Sequence, residues 1–315
     1  MGKLKALLLT QGMHGMISQV EGMAKALNTE YSHKIVRLRF PWNLIPPKFT
    51  PISKVVLKDR TYITEEETPD LVISCGRKSV VPSILLKKKN PKIFTIHIQD
   101  PKVSFKNFDA VIAPEHDNLN GENVYSSKGA IHYITESEIE KAKPYLINKI
   151  KSQKVVSLIL GGPNKYYSFK ADQLIEIFNK IKSNFVSEGY KVIVIPSMRT
   201  PKASIELAIK EMSSCGLIVN SVDKQAYLSA YALANYIVVT CDSTSMISEA
   251  ATSGKPIFIA HMNAKRNNYR FKRFFDLFKK MGITRDLGEK IETWSYNKHN
   301  EAERIATLIN NKIKN

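Results

Sequence analysis

Acidic residues, cysteine and tryptophan are all scarce in this chain. Its 315 residues hold three cysteines and two tryptophans, and 29 Asp and Glu stand against 47 Lys and Arg. Cys75, Cys215 and Cys241 are odd in number, far apart and in no CxxC pair. That argues against a disulfide framework or a zinc site and suits a reducing compartment. No apolar run nears the roughly 20 residues of a membrane-spanning helix. The start, MGKLKALLLTQG, has too short an apolar core for a signal peptide and reads as a first strand. Ala6 stands where myristoylation would want Ser or Thr. There is no GxxxxGK[ST] and no GxGxxG, which weakens kinase, NTPase and dehydrogenase readings. No HxxxH or second cluster accompanies Glu115-His116-Asp117, so no metal and no cofactor are expected. The expected location is the cytoplasm or the inner face of its membrane.

The missing acid leaves a formal charge of +18, which favours anionic partners. The densest cations are Lys87-Lys88-Lys89 and the stretch Lys265 to Phe275, where Arg and Lys mix with aromatics. A solvated basic face ranks first for these, an anionic membrane surface second. Nucleic acid ranks third, since no RRM, KH or zinc-finger pattern occurs.

Elsewhere strand and helix patterns alternate, as in a parallel sheet with helices on its faces. One βα series runs from Leu4 to Ala113 and a second from Val155 to Ala260. Between them Glu136 to Lys151 reads as a charged helical connector broken by Pro144. The expected fold class is therefore α/β, with domains at 1–148 and 149–315 and a cleft between them. The last helix is free to pack back on the first domain.

The polar clusters fall at carboxyl ends of strands, where open α/β sheets bind ligands. Tyr236 to Ile259 reads as strand, polar turn, helix, Gly stop, strand. Ser243 and Ser245 lie at the helix start, where free N–H groups attract phosphate. Glu249 follows on the same stripe and can accept bonds from sugar or ribose hydroxyls; Asp242 reads as a cap or turn residue. Gly161 and Gly162 let backbone approach a phosphate, Asn164 offers an amide, and Arg199 offers a planar fork. Together these suggest a nucleoside diphosphate site in the second domain. Each also has a plain reading, as a capped core helix, a Gly-Pro turn or a surface Arg. In the first domain His14, Asp100 and His116 are candidate bases for an acceptor hydroxyl. Glu115 and Arg77 lie on the same acceptor side, and Arg77 either binds an acidic acceptor or pairs with Asp100 or Glu115.

Seven motifs occur in a telling order: GMHGMISQ (12–19), SCGRKS (74–79), HIQDP (97–101), APEHD (113–117), LGGPN (160–164), SMRTP (197–201) and CDSTSMISEA (241–250). Over residues 4 to 285 the chain resembles the mitochondrial-fission "elongated mitochondria" family, whose bacterial members are treated as candidate glycosyltransferases. The resemblance implies a GT-B fold, two Rossmann-like domains facing across a cleft, with a nucleotide sugar held by the second. Tyr236 to Ile259 also resembles the nucleotide-binding turn of lipid-linked N-acetylglucosaminyltransferases, with Glu249 where their ribose-binding Glu falls. The first turn departs from those enzymes in having fewer glycines and Gln11 in place of an acid. The implied activity is metal-independent sugar transfer from a nucleoside diphosphate to a cell-envelope acceptor, lipid-linked or otherwise. A non-catalytic membrane scaffold in division or fission is the alternative, and a nucleotide-sugar 2-epimerase the third.

Overall fold

Leu71–Cys75, Val155–Leu160 and Tyr236–Thr240 are buried at every position. Strands of a parallel sheet covered on both faces have no solvent side, so their sequences run apolar without alternation. A computed structural model describes residues 3–64, 68–288 and 290–313, and the chain divides into two units. The first runs to Tyr133 and takes the chain up again at Glu301; the second is Ile134–Asn300.

The first unit contains β1 (Lys5–Thr10), α1 (His14–Ala26), β2 (Glu30–Ile35), the single turn α2 (Thr61–Thr64), β3 (Leu71–Cys75), α3 (Val80–Lys89), β4 (Phe94–Ile98), β5 (Ala110–Pro114) and β6 (Val124–Ser127). Among the described residues these strands form one parallel sheet in the order β2-β1-β3-β4-β5-β6. The order reverses between β1 and β3, so the turns after those two strands flank its switch point.

The second unit contains α4 (Glu136–Ala142), α5 (Pro144–Ile150), β7 (Val155–Leu160), α6 (Ala171–Ile181), β8 (Lys191–Pro196), α7 (Lys202–Met212), β9 (Gly216–Ile218), α8 (Lys224–Leu233), β10 (Tyr236–Thr240), α9 (Thr244–Ala251), β11 (Ile257–Ala260), α10 (Tyr269–Lys280) and β12 (Thr284–Asp286). Its parallel sheet has the order β12-β11-β10-β7-β8-β9, the doubly wound arrangement with its switch point between β7 and β10.

Two expectations change here. Residues 136–151 are no connector: Ile139, Ala142, Leu146 and Ile150 are buried, and the Leu146 amide donates to Ser229 Oγ on α8 at 3.1 Å. Their apolar positions are few but share one face, which is enough to seat two short helices on a neighbour. The boundary thus falls at 133/134 rather than 148/149. Pro144 does break the helix, standing first in α5. The start of α4 is fixed by a capping box, with Thr135 Oγ1 accepting from the Glu138 amide and Glu138 Oε2 from the Thr135 amide. Thr135→Ala is expected to cost about 1 kcal/mol in a urea unfolding curve.

The last helix, α11 (Glu301–Ile313), packs into the first unit's core through Ala302, Ile305, Ala306 and Ile309, against Ala6, Val20 and Ile96. Its buried Glu301 accepts from the Lys128 amide at 2.8 Å and from Arg304 Nε and Nη2. Arg304 Nη2 also donates to the Ser126 carbonyl on β6. Among the described residues no helix is long and apolar enough to cross a membrane. The three cysteines are free and buried.

Candidate functional site

At the second unit's switch point, Asp242 follows β10 and Gly161-Gly162 follow β7. The Asp242 side chain is fully buried. Its Oδ2 accepts from the Gly162 amide at 3.0 Å and from Arg199 Nη2 at 2.7 Å, and its Oδ1 from Thr240 Oγ1 at 2.7 Å. Burial pushes this carboxyl above the ordinary range, against the pull of Arg199, the Gly162 amide and Thr240. Arg199 Nη1 donates to the Gly162 carbonyl at 2.9 Å, so one guanidinium spans the strand-end turn and the carboxylate. Thr240 Oγ1 accepts from the Gly161 amide, and Thr200 Oγ1 donates to the Gly161 carbonyl at 2.6 Å.

The two glycines answer to these neighbours. A Cβ on Gly161 would stand 2.1 Å from Asp242 Oδ2, and one on Gly162 1.9 Å from the Arg199 carbonyl oxygen. Asn164 donates to the Asp242 carbonyl at 3.0 Å, while its own oxygen accepts from the Tyr166 and Tyr167 amides. Gly161, Gly162, Asn164 and Arg199 are thus brought into one network with Asp242 at its centre. Asp242 is not the helix cap. That place belongs to Ser243, whose Oγ accepts from the Met246 amide at 3.4 Å. Ser245 is partly exposed in the first turn of α9, where the leading N–H groups have no intrahelical partner.

One turn further, the partly exposed Glu249 accepts from the Tyr227 hydroxyl at 2.5 Å, and Tyr231 donates to Tyr227 at 2.6 Å. Burial pushes Glu249 up to about 7, although the Tyr227 bond pulls it down. Burial and the Glu249 charge hold both tyrosines well above their ordinary range, so they remain donors. Sequence reasoning missed this tyrosine pair. Its one signal was a spacing of four on α8, which places the two rings on one stripe.

In the first unit His14, Arg77, Asp100 and Glu115 follow β1, β3, β4 and β5, so all lie at the carboxyl edge of one parallel sheet. His14 opens α1, exposed, its ring edge-on to Tyr133. Asp100 pairs with Lys102, whose amide and Nζ both donate to it. Burial raises Asp100, but the Lys102 bonds outweigh it and leave the carboxyl below its usual value. Arg77 pairs with neither Asp100 nor Glu115. It donates to the carbonyls of Asn43 at 2.8 Å and Leu44 at 3.3 Å, because these unpaired loop carbonyls lie within its reach. Glu115 is exposed in a single 3₁₀ turn, Glu115–Asp117; the His116 side chain lies outside the described residues. Sequence reasoning also passed over Gln19, which accepts from Gln99 Nε2 and Cys75 Sγ at this edge. Gln99 has φ +82, strained for a residue with a side chain.

The profile of the mitochondrial fission ELM1 family matches residues 14–313. The chain belongs to that family. An uncharacterised protein of Rickettsia prowazekii is 28% identical, the match covering 93% of this chain and 92% of that protein. Mitochondrial fission protein ELM1 of Arabidopsis thaliana is 24% identical over 82% of this chain and 67% of its own length. Among solved structures, UDP-GlcNAc 2-epimerase from Neisseria meningitidis, bound to UDP-GlcNAc, superposes with a TM-score of 0.55 at 12% identity, covering 99% of this chain and 100% of that one. MurG from Acinetobacter baumannii gives 0.50 at 13% identity, covering 98% and 91%. These likenesses establish the GT-B fold for this family member.

Proposed function

We propose that this protein is a metal-independent glycosyltransferase that binds a nucleoside diphosphate sugar at the second unit's switch point. The observation that carries the reading is the network around Asp242. It fixes the Gly161-Gly162 turn, Arg199 and the start of α9 at one strand edge, where an anion meets N–H groups, a helix dipole and a guanidinium. A fold neighbour was solved with UDP-GlcNAc bound, which supports the ligand class. The Ser243 and Ser245 region and Arg199 would take the diphosphate, with Asn164 and Asp242 as positioning residues. Glu249, held by Tyr227, would accept a ribose or sugar hydroxyl.

In the transfer, the acceptor oxygen bonds to the sugar C1 as the C1–O bond to diphosphate breaks. The acceptor proton passes to a base, and the departing diphosphate carries the negative charge. The leading N–H groups of α9, with Arg199 beside them, would stabilise that charge without reorganising. His14 is the base this reading favours in the first unit, since Asp100 is already tied to Lys102. The acceptor is taken to be a cell-envelope, lipid-linked molecule at the membrane's inner face.

Calorimetry with uridine, guanosine, cytidine and thymidine diphosphates tests the donor site. One of them is expected to bind, and Arg199→Ala to weaken it about tenfold or more, the worth of a charged hydrogen bond. No binding by any of the four at millimolar concentration overturns the reading in favour of a scaffold. Conversion of a bound UDP-sugar with no acceptor present would assign the site to epimerisation instead.

A further inference from the structure

The segment from Val36 to Lys58 carries Arg37, Arg39, Lys48, Lys54 and Lys58 and no acidic residue. Its ends are clamped by the antiparallel bridge Leu38–Leu57, with the Arg39 amide donating to the Val56 carbonyl at 2.8 Å and the Lys58 amide to Arg37 at 2.9 Å. Val36, Leu38, Val56 and Leu57 are buried in a core cluster with Leu7 and Leu9, and Trp42 packs partly against it. Between the clamped ends, large apolar side chains point to solvent: Phe40 is 78% exposed, Leu44 and Phe49 68%, and Val55 61%. All five cations are exposed as well.

This exposure is not the slack of an unstructured loop. The Phe49 amide and Thr50 Oγ1 both bond to the Pro46 carbonyl, and Arg77 holds the carbonyls of Asn43 and Leu44. Pro41, Pro46, Pro47 and Pro51 remove further freedom. A hydrogen-bonded segment that displays aromatic and aliphatic groups among cations suits a surface that takes both.

We propose that residues 39–56 dock the protein on an anionic lipid surface, Phe40, Leu44 and Phe49 entering the interface while the cations meet phosphate headgroups. Insertion of a few apolar side chains is weak alone and becomes stable with a polybasic surround. A protein partner is the less suited occupant, because the loop's own carbonyls at 43, 44 and 46 are already bonded and leave little directional polarity to read. The helix α10 does not share this role. Its Phe274, Phe275 and Phe278 are buried, so beside its cations it offers solvent chiefly Tyr269 at its first position. The proposal draws nothing from the nucleotide site, and Arg77 places the loop beside the edge of the first unit's sheet.

Flotation of the full chain with vesicles of phosphatidylcholine, alone or mixed with phosphatidylglycerol, tests it. Binding is expected to the acidic vesicles only. The variant Phe40→Ser, Leu44→Ser, Phe49→Ser should bind about tenfold more weakly or less, and Lys48→Glu with Lys54→Glu likewise. These side chains are exposed, so thermal unfolding should match the parent. Calorimetry with the nucleoside diphosphates should also match, which separates failure here from failure of the donor site. Three results overturn the proposal: no flotation with acidic vesicles at low salt, flotation of both variants equal to the parent's, or a parent dimer that the serine variant converts to monomer.

Discussion

Gly162→Ala is expected to cost the second unit about 3 kcal/mol, the upper part of the range for overpacking a filled site. The new Cβ would stand 1.9 Å from the Arg199 carbonyl oxygen, 2.3 Å from its carbon and 2.8 Å from its Cβ. Two of those atoms are backbone, so no rotamer change relieves the clash. The 197–201 loop must move away from the end of β7. That movement breaks the Arg199 bond to the Gly162 carbonyl and the Thr200 bond to the Gly161 carbonyl. Nucleoside diphosphate affinity should fall with it. Urea unfolding followed by circular dichroism reads the first effect and calorimetry the second. Gly15→Ala in α1 meets nothing within 4 Å and should hold the unfolding free energy or raise it by up to about 1 kcal/mol. A parental midpoint for Gly162→Ala would show that the turn is not held in this way.

Glu249→Gln should change how stability depends on pH. The carboxyl sits at about 7 when folded against an ordinary 4.5, so the folded state holds its proton more tightly than the unfolded chain. The stability this contributes is fully present below about 4.5 and is lost as pH rises to about 7. An amide keeps the Tyr227 partner and cannot ionise. The variant is therefore expected to be about 1–3 kcal/mol more stable than the parent at about pH 8 and to lack the parent's slope. Binding should move the other way. If the ionised carboxylate accepts a ligand hydroxyl, affinity in the parent falls as pH drops through about 7. In the variant it is about tenfold weaker at high pH and loses that component. Urea midpoints and calorimetry across about pH 5 to 8.5 check both; a variant that binds like the parent removes Glu249 from the site.

The sequence was most legible where burial on both faces wrote itself as an uninterrupted apolar run. Val155–Leu160 could be read to the residue. Val124–Ser127 and Thr284–Asp286 could not, since each is a short strand at a sheet edge with polar residues in it. The helix α1 begins two residues before its apolar pattern does, after Met13, which makes no side-chain cap bond. At the candidate site, residue types pointed to strand ends that the sheet sets side by side, but not to what each residue touches. Gly161 and Gly162 suggested room for a ligand, whereas their nearest neighbours are Asp242 and Arg199. Asp242 and Ser243 are adjacent and both suited to capping; which one caps depends on backbone angles fixed by burial of the other. The Tyr227 to Glu249 contact joins two helices through tertiary packing, which no local pattern encodes.

The helix α11 has a consequence for the order in which the chain is made. Residues 134–300 are continuous and carry every strand of their own sheet. The first unit is emitted early but lacks Ala302, Ile305, Ala306 and Ile309 from its core until the second unit has been made. On the ribosome the second unit can therefore close first, while the first waits with an uncovered apolar face for α11.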